Sequence, residues 1–307
     1  MKNKAVSLGN EKIRIHDSMY GFLLILPALI IMLCVIAVPV LRGIWISFCN
    51  NKIANINSPV WNNFDNYRAI FKNGEFFNFF LITLRFVLCT VTLVLVLGLA
   101  IAMLLNSKIV GRKVFRGLVI IPWTVPSVVV ALVWRWMFQQ QYGVMNYILY
   151  NLGIIGNLNT AWTMTEFHAT LLIILACTWK QLPYMTVMML AGLQSTSNDL
   201  KEAAVIDGAS KVQVFFHVVL PSIRTVMLTC VWLSITQNFQ QFTIIKNITG
   251  GGPVYATTTL SVSAYTYAFK NYNFGRAAAV GVLWIVFLFI ITMIVNKTND
   301  RFAQDVE

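Results

Sequence analysis

Residues 86–107 read FVLCTVTLVLVLGLAIAMLLNS, and no charge interrupts the chain between Arg85 and Lys108. A bilayer core takes about 20 consecutive apolar residues of helix, so this run is long enough to cross one. Similar uncharged runs lie between Asp17 and Arg42, Arg116 and Arg135, Lys180 and Asp199, Arg224 and Lys246, and Arg276 and Lys297. The pattern predicts an all-α membrane protein with six spans, near 20–47, 79–106, 117–138, 167–194, 222–245 and 277–296. Two more uncharged stretches are set aside. Residues 136–165 are rich in Asn, Gln and Gly, and 247–269 carries a Gly-Pro turn and a Thr/Ser run. Neither hides its backbone polar groups in lipid as one helix, so both read as loops with room for interfacial helix.

Composition agrees. The chain has 307 residues, 58% hydrophobic and 11% charged. A soluble domain carries about a quarter charged residues, so an ordinary soluble enzyme is excluded. Disorder is excluded too, because it needs low hydrophobicity and high charge.

The net charge of +12 sorts by side. Segments 1–18, 107–116, 196–224 and 297–307 hold 13 Lys/Arg in 68 residues, against 6 in 89 for 49–78, 139–166 and 246–276. By the positive-inside rule the first set is cytoplasmic. Both termini then lie inside, as an N-terminal segment 1–19 and a tail 297–307, and no nucleic-acid partner is needed. The first apolar run follows Lys2, Lys4, Lys12 and Arg14. It is longer than a signal-peptide core and lacks a clear cleavage site, so it reads as a retained helix.

Arg42, Arg85 and Arg135 sit near outer span ends, where snorkelling is expected. Lys180 sits near mid-membrane, where an ionisable group marks function or pairs with a neighbouring subunit. The five Cys show no CxxC spacing, and His16, His168 and His217 lie far apart, so neither a metal site nor an enzyme constellation emerges. A self-contained secondary transporter would need a coupling-ion site, yet no Asp or Glu lies in a predicted span.

Two polar stripes stand out. Cys177, Lys180, Gln181 and Tyr184, and then Ser234, Gln237, Asn238 and Gln241, repeat at i, i+3, i+4, i+7 on one helix face each. They suit the lining of a wet cavity, with amides for hydroxyls and an aromatic for a sugar ring. They equally suit hydrogen bonding between helices.

The inner loop 197–221 differs from a plain connector. Asp199 followed by Glu202 resembles a capping box, good helix formers follow, and Gly208 can close the helix in a left-handed turn. A two-turn helix is marginal in water. It is either an amphipathic loop or a piece that docks on another protein.

Glu202-Ala203-Ala204, then Gly208, then Val218-x-Leu220-Pro221 resembles the EAA loop of membrane subunits in binding-protein-dependent ABC importers. Asp207 and Ala209 fit the same pattern, and Val218 replaces its usual Ile. Ile121-Pro122-Trp123-Thr124-Val125-Pro126-Ser127, Thr249-Gly250-Gly251-Gly252-Pro253 and Asn273-Phe274-Gly275-Arg276 resemble the carbohydrate-uptake class typified by the maltose importer. The resemblance implies a sugar or oligosaccharide permease of the bacterial cytoplasmic membrane, surrounded by membrane lipid. A polyol, sugar acid or sugar phosphate is the alternative cargo. It implies two ATPase subunits that carry ATP and Mg, a second permease as a heterodimer partner, and an extracytoplasmic solute-binding protein. No cofactor is implied in this chain, which lacks the Gly-Lys pair of a Walker A loop. It further implies ATPase coupling by Glu202, Ala203, Ala204, Asp207, Gly208 and Ala209. Solute lining falls to the eight stripe residues, and binding-protein contact to Gly250, Gly251, Gly252 and Pro253. Trp61, Phe64 and Tyr67 are further outer candidates, as contacts or as packing.

Overall fold

The computed structural model describes residues 7–72, 74–107 and 110–304. Residues 1–6 of the expected N-terminal segment and 305–307 of the expected tail lie outside the described residues. Helix α1, Ser7–Met32, passes through a π turn, Leu33–Ala37, into α2, Val38–Ser47. Pro39 follows that turn. Its ring clashes with the carbonyl four residues back, and a widened turn relieves the clash. The membrane-length part, Met19–Ser47, has no buried residue in its most apolar window.

A short hairpin follows, with β1 Cys49–Asn50 antiparallel to β2 Val60–Trp61. Then comes α3, Asp65–Lys72. Asn66 ties the hairpin down: its Nδ2 donates to Ser47 O at 2.9 Å and Cys49 O at 2.8 Å. Phe48 packs its ring on those of Trp61, Phe64 and Tyr67. These aromatics therefore build one packed knob beside the hairpin.

Helix α4 spans Glu75–Asn106 and contains the 86–107 run up to its last residue. The third predicted span, 117–138, is broken. Helices α5, Arg112–Thr124, and α6, Ser127–Met137, meet at 96°. Pro126 is the reason. A residue before proline is pushed out of the helical region, and Val125 is extended at φ −72°, ψ 128°.

The Asn/Gln-rich segment holds α7, Val144–Asn151. Buried Asn146 closes it by accepting from Trp162 Nε1 at 2.6 Å and donating to Thr160 O at 3.1 Å. Helix α8, Glu166–Ser195, lies along α4. Gly98 sets their approach, since a Cβ there would stand 2.6 Å from Met185 Cγ. Phe86, Val91, Leu172, Ile173 and Cys177 fill the core between them.

Two short helices, α9 Asn198–Ile206 and α10 Lys211–Val214, lead through a second π turn, Phe215–Val219, to α11, Leu220–Ser222. Proline again stands just beyond the widened turn, here Pro221. A 68° bend at Ile223 starts α12, Arg224–Phe239. The helix stops six residues short of the predicted 245.

The segment 247–269, expected as an outer loop, is instead largely inside the protein. Helix α13, Thr243–Ile248, runs into it and α14, Leu260–Tyr265, lies within it, and Thr257, Thr259, Leu260 and Val262 are buried. Irregular backbone survives at membrane depth only when protein satisfies it. Thr83 Oγ1 accepts from Leu260 N at 2.9 Å, Thr257 Oγ1 donates to Gly252 O at 2.7 Å, and Thr258 Oγ1 donates to Gly251 O at 2.8 Å. The Thr/Ser content that argued against a lipid-facing helix is what satisfies a protein-facing loop.

Helix α15, Phe274–Gln304, closes the fold. Asn273 Oδ1 caps it by accepting from Arg276 N at 3.0 Å, and Gly275 lies so close to the hairpin that a Cβ would collide with the Cys49 carbonyl. Among the described residues four helices are long and apolar enough to cross a membrane, and two bent pairs could add one crossing each.

Candidate functional site

Helices α8 and α12 bring part of the two stripes together. Gln181 Nε2 donates to Asn238 Oδ1 at 2.9 Å, and Asn238 Nδ2 donates back to Gln181 Oε1 at 2.8 Å. Ser234 Oγ also donates to Gln181 Oε1, at 3.3 Å, and Asn238 Nδ2 reaches Ser234 O at 2.8 Å. Ser234 and Asn238 are buried, so this trio is first a bond between helices. Such a network fixes the angle of α8 against α12. Cys177 is fully buried in the core and touches no open space. Gln241 marks the turn into α13: its backbone O accepts from Ser261 Oγ at 2.9 Å.

Lys180 finds its partner within the chain. Its Nζ donates to Val125 O at 2.6 Å. The Pro126 break leaves that carbonyl without a helical donor, and the lysine supplies one. No acid of a neighbouring subunit is needed. Lys180→Met is therefore expected to orphan the carbonyl and cost about 1–3 kcal/mol, read as a lowered unfolding temperature of the purified complex. If the variant changes solute choice and leaves the unfolding temperature unchanged, Lys180 serves solute and not the break.

Of the stripe residues Gln237 is exposed, and Tyr184 is half-buried. Tyr184 lies 6.0 Å, ring to ring, from exposed Trp123 of α5. Trp123 was within reach of the sequence, because it stands in the Ile121–Ser127 motif, but nothing there told that the break turns it toward Tyr184.

The inner loop is built as a rigid hook. Ser197 caps α9, its Oγ accepting from Asp199 N at 3.1 Å. The cap is thus Ser197, not an Asp199–Glu202 box; Asp199 is a first-turn acid that suits the helix dipole. The far end is a Schellman turn. Gly208 N donates to Val205 O at 3.1 Å, Ala209 N donates to Ala204 O at 2.9 Å, and Gly208 has φ +85°. Ser210 then caps α10 through a reciprocal box with Gln213. Glu202, Ala203 and Asp207 face outward, whereas Ala204 and Ala209 face a cleft under the hook with His217 and Val218. Leu200, Val205 and Ile206 are 56%, 60% and 84% exposed. Sequence reading passed over these three apolar residues.

In the outer turn, Gly250 and Gly251 adopt φ +66° and +97°. Gly251 is buried against Thr258, so the accessible tip is carried instead by Val254, 94% exposed, and Tyr255, 61% exposed. A small polar cavity beside the tip is lined by Glu75, Asn78, Thr258 and Tyr267. Tyr267 donates its hydroxyl to Glu75 Oε2 at 2.6 Å, and burial, then this bond, pushes its phenol pKa up.

Comparison with known proteins agrees with this architecture. A trehalose/maltose transport system permease protein MalF of Thermococcus litoralis is 35% identical over 295 residues, covering 96% of this chain and 98% of the relative. A sulfoquinovosyl glycerol transport system permease protein, SmoG of Agrobacterium fabrum, is 33% identical over 94% of this chain and 91% of its own length. The crystal structure of a bacterial alginate ABC transporter, in complex with alginate pentasaccharide-bound periplasmic protein, contains a chain of the same fold. Its TM-score is 0.78 at 20% identity, covering 95% and 96% of the two chains. Residues 94–304 match the family described as binding-protein-dependent transport system inner membrane component, and this chain, a multi-pass protein of the cytoplasmic membrane, belongs to that family as a permease subunit of an ABC transporter.

Proposed function

We propose that this chain is one membrane half of an ATP-driven importer that carries a sugar or oligosaccharide into the cytoplasm. In this reading each bent pair is one crossing, giving six spans with both termini cytoplasmic. The observation that carries the importer reading is α9: a capped, two-turn hook in a charge-rich inner loop, with Leu200, Val205 and Ile206 uncovered by this chain. Burying such side chains is worth about 1.5–3 kcal/mol each, which a cleft on an ATPase subunit would supply. Closure of an ATPase dimer around ATP and Mg would then move the hook. The hook would pull on α8 through Thr196 and on α12 through the α10–α11 segment. One hook per permease and two ATPases call for a second permease, and a heterodimer fits this class.

The relatives named for trehalose/maltose and for sulfoquinovosyl glycerol support a saccharide cargo. The second of these also keeps an acidic sugar derivative in view. We place the cargo against Tyr184, Trp123 and Gln237, with Cys177, Lys180, Gln181, Ser234, Asn238 and Gln241 shaping the wall behind them. Val254 and Tyr255, with the Gly250–Pro253 turn as their base, would meet the solute-binding protein.

The test is uptake by the assembled complex in proteoliposomes. Tyr184→Ala and Asn238→Ala are expected to lower uptake about tenfold, one lost solute or wall contact of about 1.4 kcal/mol, while assembly survives. Wild-type uptake in both moves the path elsewhere. Uptake by the isolated chain without nucleotide replaces the importer with a secondary transporter.

A further inference from the structure

Two guanidinium groups that meet no counter-charge among the described residues lie at the start of α5. Arg112 and Arg116 stand one turn apart and share a single neutral acceptor: with the Gln194 amide oriented to satisfy both, its Oε1 accepts from Arg112 Nη2 at 2.7 Å and from Arg116 Nη2 at 2.6 Å. The Nε atoms of both arginines are buried and have no partner. Among the described residues the ion pairs are Arg68–Asp65 and Arg85–Glu166, so neither arginine meets an acid. The same end of α5 begins after Gly111 with no side-chain cap, which adds the positive end of a helix dipole. Two partly buried cations at one place are costly unless an anion joins them. A phosphate group fits, because its oxygens match the forked donors of arginine.

The space beside the pair narrows the choice. Arg116, Gln194 and Thr186 are the polar lining of a cleft of about 250 Å³ whose apolar floor includes Leu105, Val119 and Leu190, with the exposed Ala191 at its edge. A soluble phosphate would satisfy the polar lining and leave that floor to water. An acyl chain would cover it. We propose that Arg112 and Arg116 hold the phosphate of an anionic phospholipid whose acyl chain lies along this cleft. The site shares no residue with the proposed solute lining or with the α9 hook, and its test does not read transport, so its failure would leave the importer reading untouched.

The experiment uses the intact purified importer in mixed micelles holding equal phosphatidylglycerol and phosphatidylcholine, with retained lipid counted by native mass spectrometry. The wild type is expected to retain phosphatidylglycerol in preference. Replacing both arginines, R112Q with R116Q, should weaken that retention about 30-fold, the effect of two basic side chains on an anionic lipid, and leave phosphatidylcholine unchanged. A191F, which fills the cleft from its edge and keeps both charges, should also reduce phosphatidylglycerol retention, and it serves if the arginine variant does not assemble. Equal retention of the two lipids by the wild type, or undiminished phosphatidylglycerol in A191F, overturns the proposal. Displacement of the lipid by millimolar inorganic phosphate overturns it too, since the site would then be one for soluble phosphate.

Discussion

Gly208→Val should cut ATP-driven import about tenfold while the permease still reaches the membrane, because a left-handed L residue costs about 1–2 kcal/mol. Gly208 has φ +85° and donates the inner bond of the Schellman turn to Val205 O. Valine, branched at Cβ, is among the residues least able to follow. The α9 helix has only two turns and is marginal by itself, so a penalty of this size unwinds its end and releases Ala209 from Ala204. The hook then loses its fixed angle, and ATP hydrolysis continues with about a tenth of the import. Gly208→Asn is the control, since asparagine tolerates this conformation, and should recover most of the import. Import by Gly208→Val at the wild-type rate would remove the hook from the mechanism.

Gly251→Val should be worse, because it adds about 1–3 kcal/mol of backbone strain to about 1–3 kcal/mol of overpacking. Gly251 has φ +97°, and a Cβ there would stand 2.6 Å from Thr258 Oγ1 and 3.1 Å from Val262 Cγ1. The displaced Thr258 would lose its bond to Gly251 O, and the buried outer segment would lose its anchor. The expected result is a lower unfolding temperature of the complex, less permease in the membrane and no measurable import. Gly250→Ala makes the contrast: its Cβ would meet only Lys246 O, at 3.9 Å, so the backbone strain stands alone. A Gly251→Val complex that unfolds at the wild-type temperature would show that the turn has room this structure denies it.

Uncharged length made the long helices readable, because lipid admits few charges, although Arg85 and Lys180 lie well inside α4 and α8. Spacing was a weaker guide to what those helices do. The i, i+3, i+4, i+7 stripes were visible, yet periodicity cannot tell a side chain aimed at a cavity from one aimed at the next helix. Gln181 and Asn238 turned out to face each other, and Cys177 faces the core. Lys180 was readable as unusual, but its partner is a backbone carbonyl, which carries no letter in a sequence. The break beside that carbonyl was signalled by Pro126, although a 96° turn was not. The 247–269 segment misled for a related reason. Polar content says that a stretch cannot face lipid; it does not say whether water or protein will face it instead. Ser197, two residues ahead of Asp199, took the cap because a hydroxyl at the last extended residue reaches the second free amide of the helix.

The interior course of that segment bears on how the protein is made. Thr83 of α4 holds Leu260 N, while Leu260 and Tyr267 share their packing with Ala279 and Val280 of α15. Helix α15 leaves the ribosome last of these. Until it does, the stretch from 243 to 273 has no completed berth, and lipid offers its amides nothing. A nascent chain halted before Phe274 would thus hold a polar segment whose packing partner on α15 is still missing. The final helix is the keystone of biogenesis, and the order of synthesis sets the moment at which the arch can close.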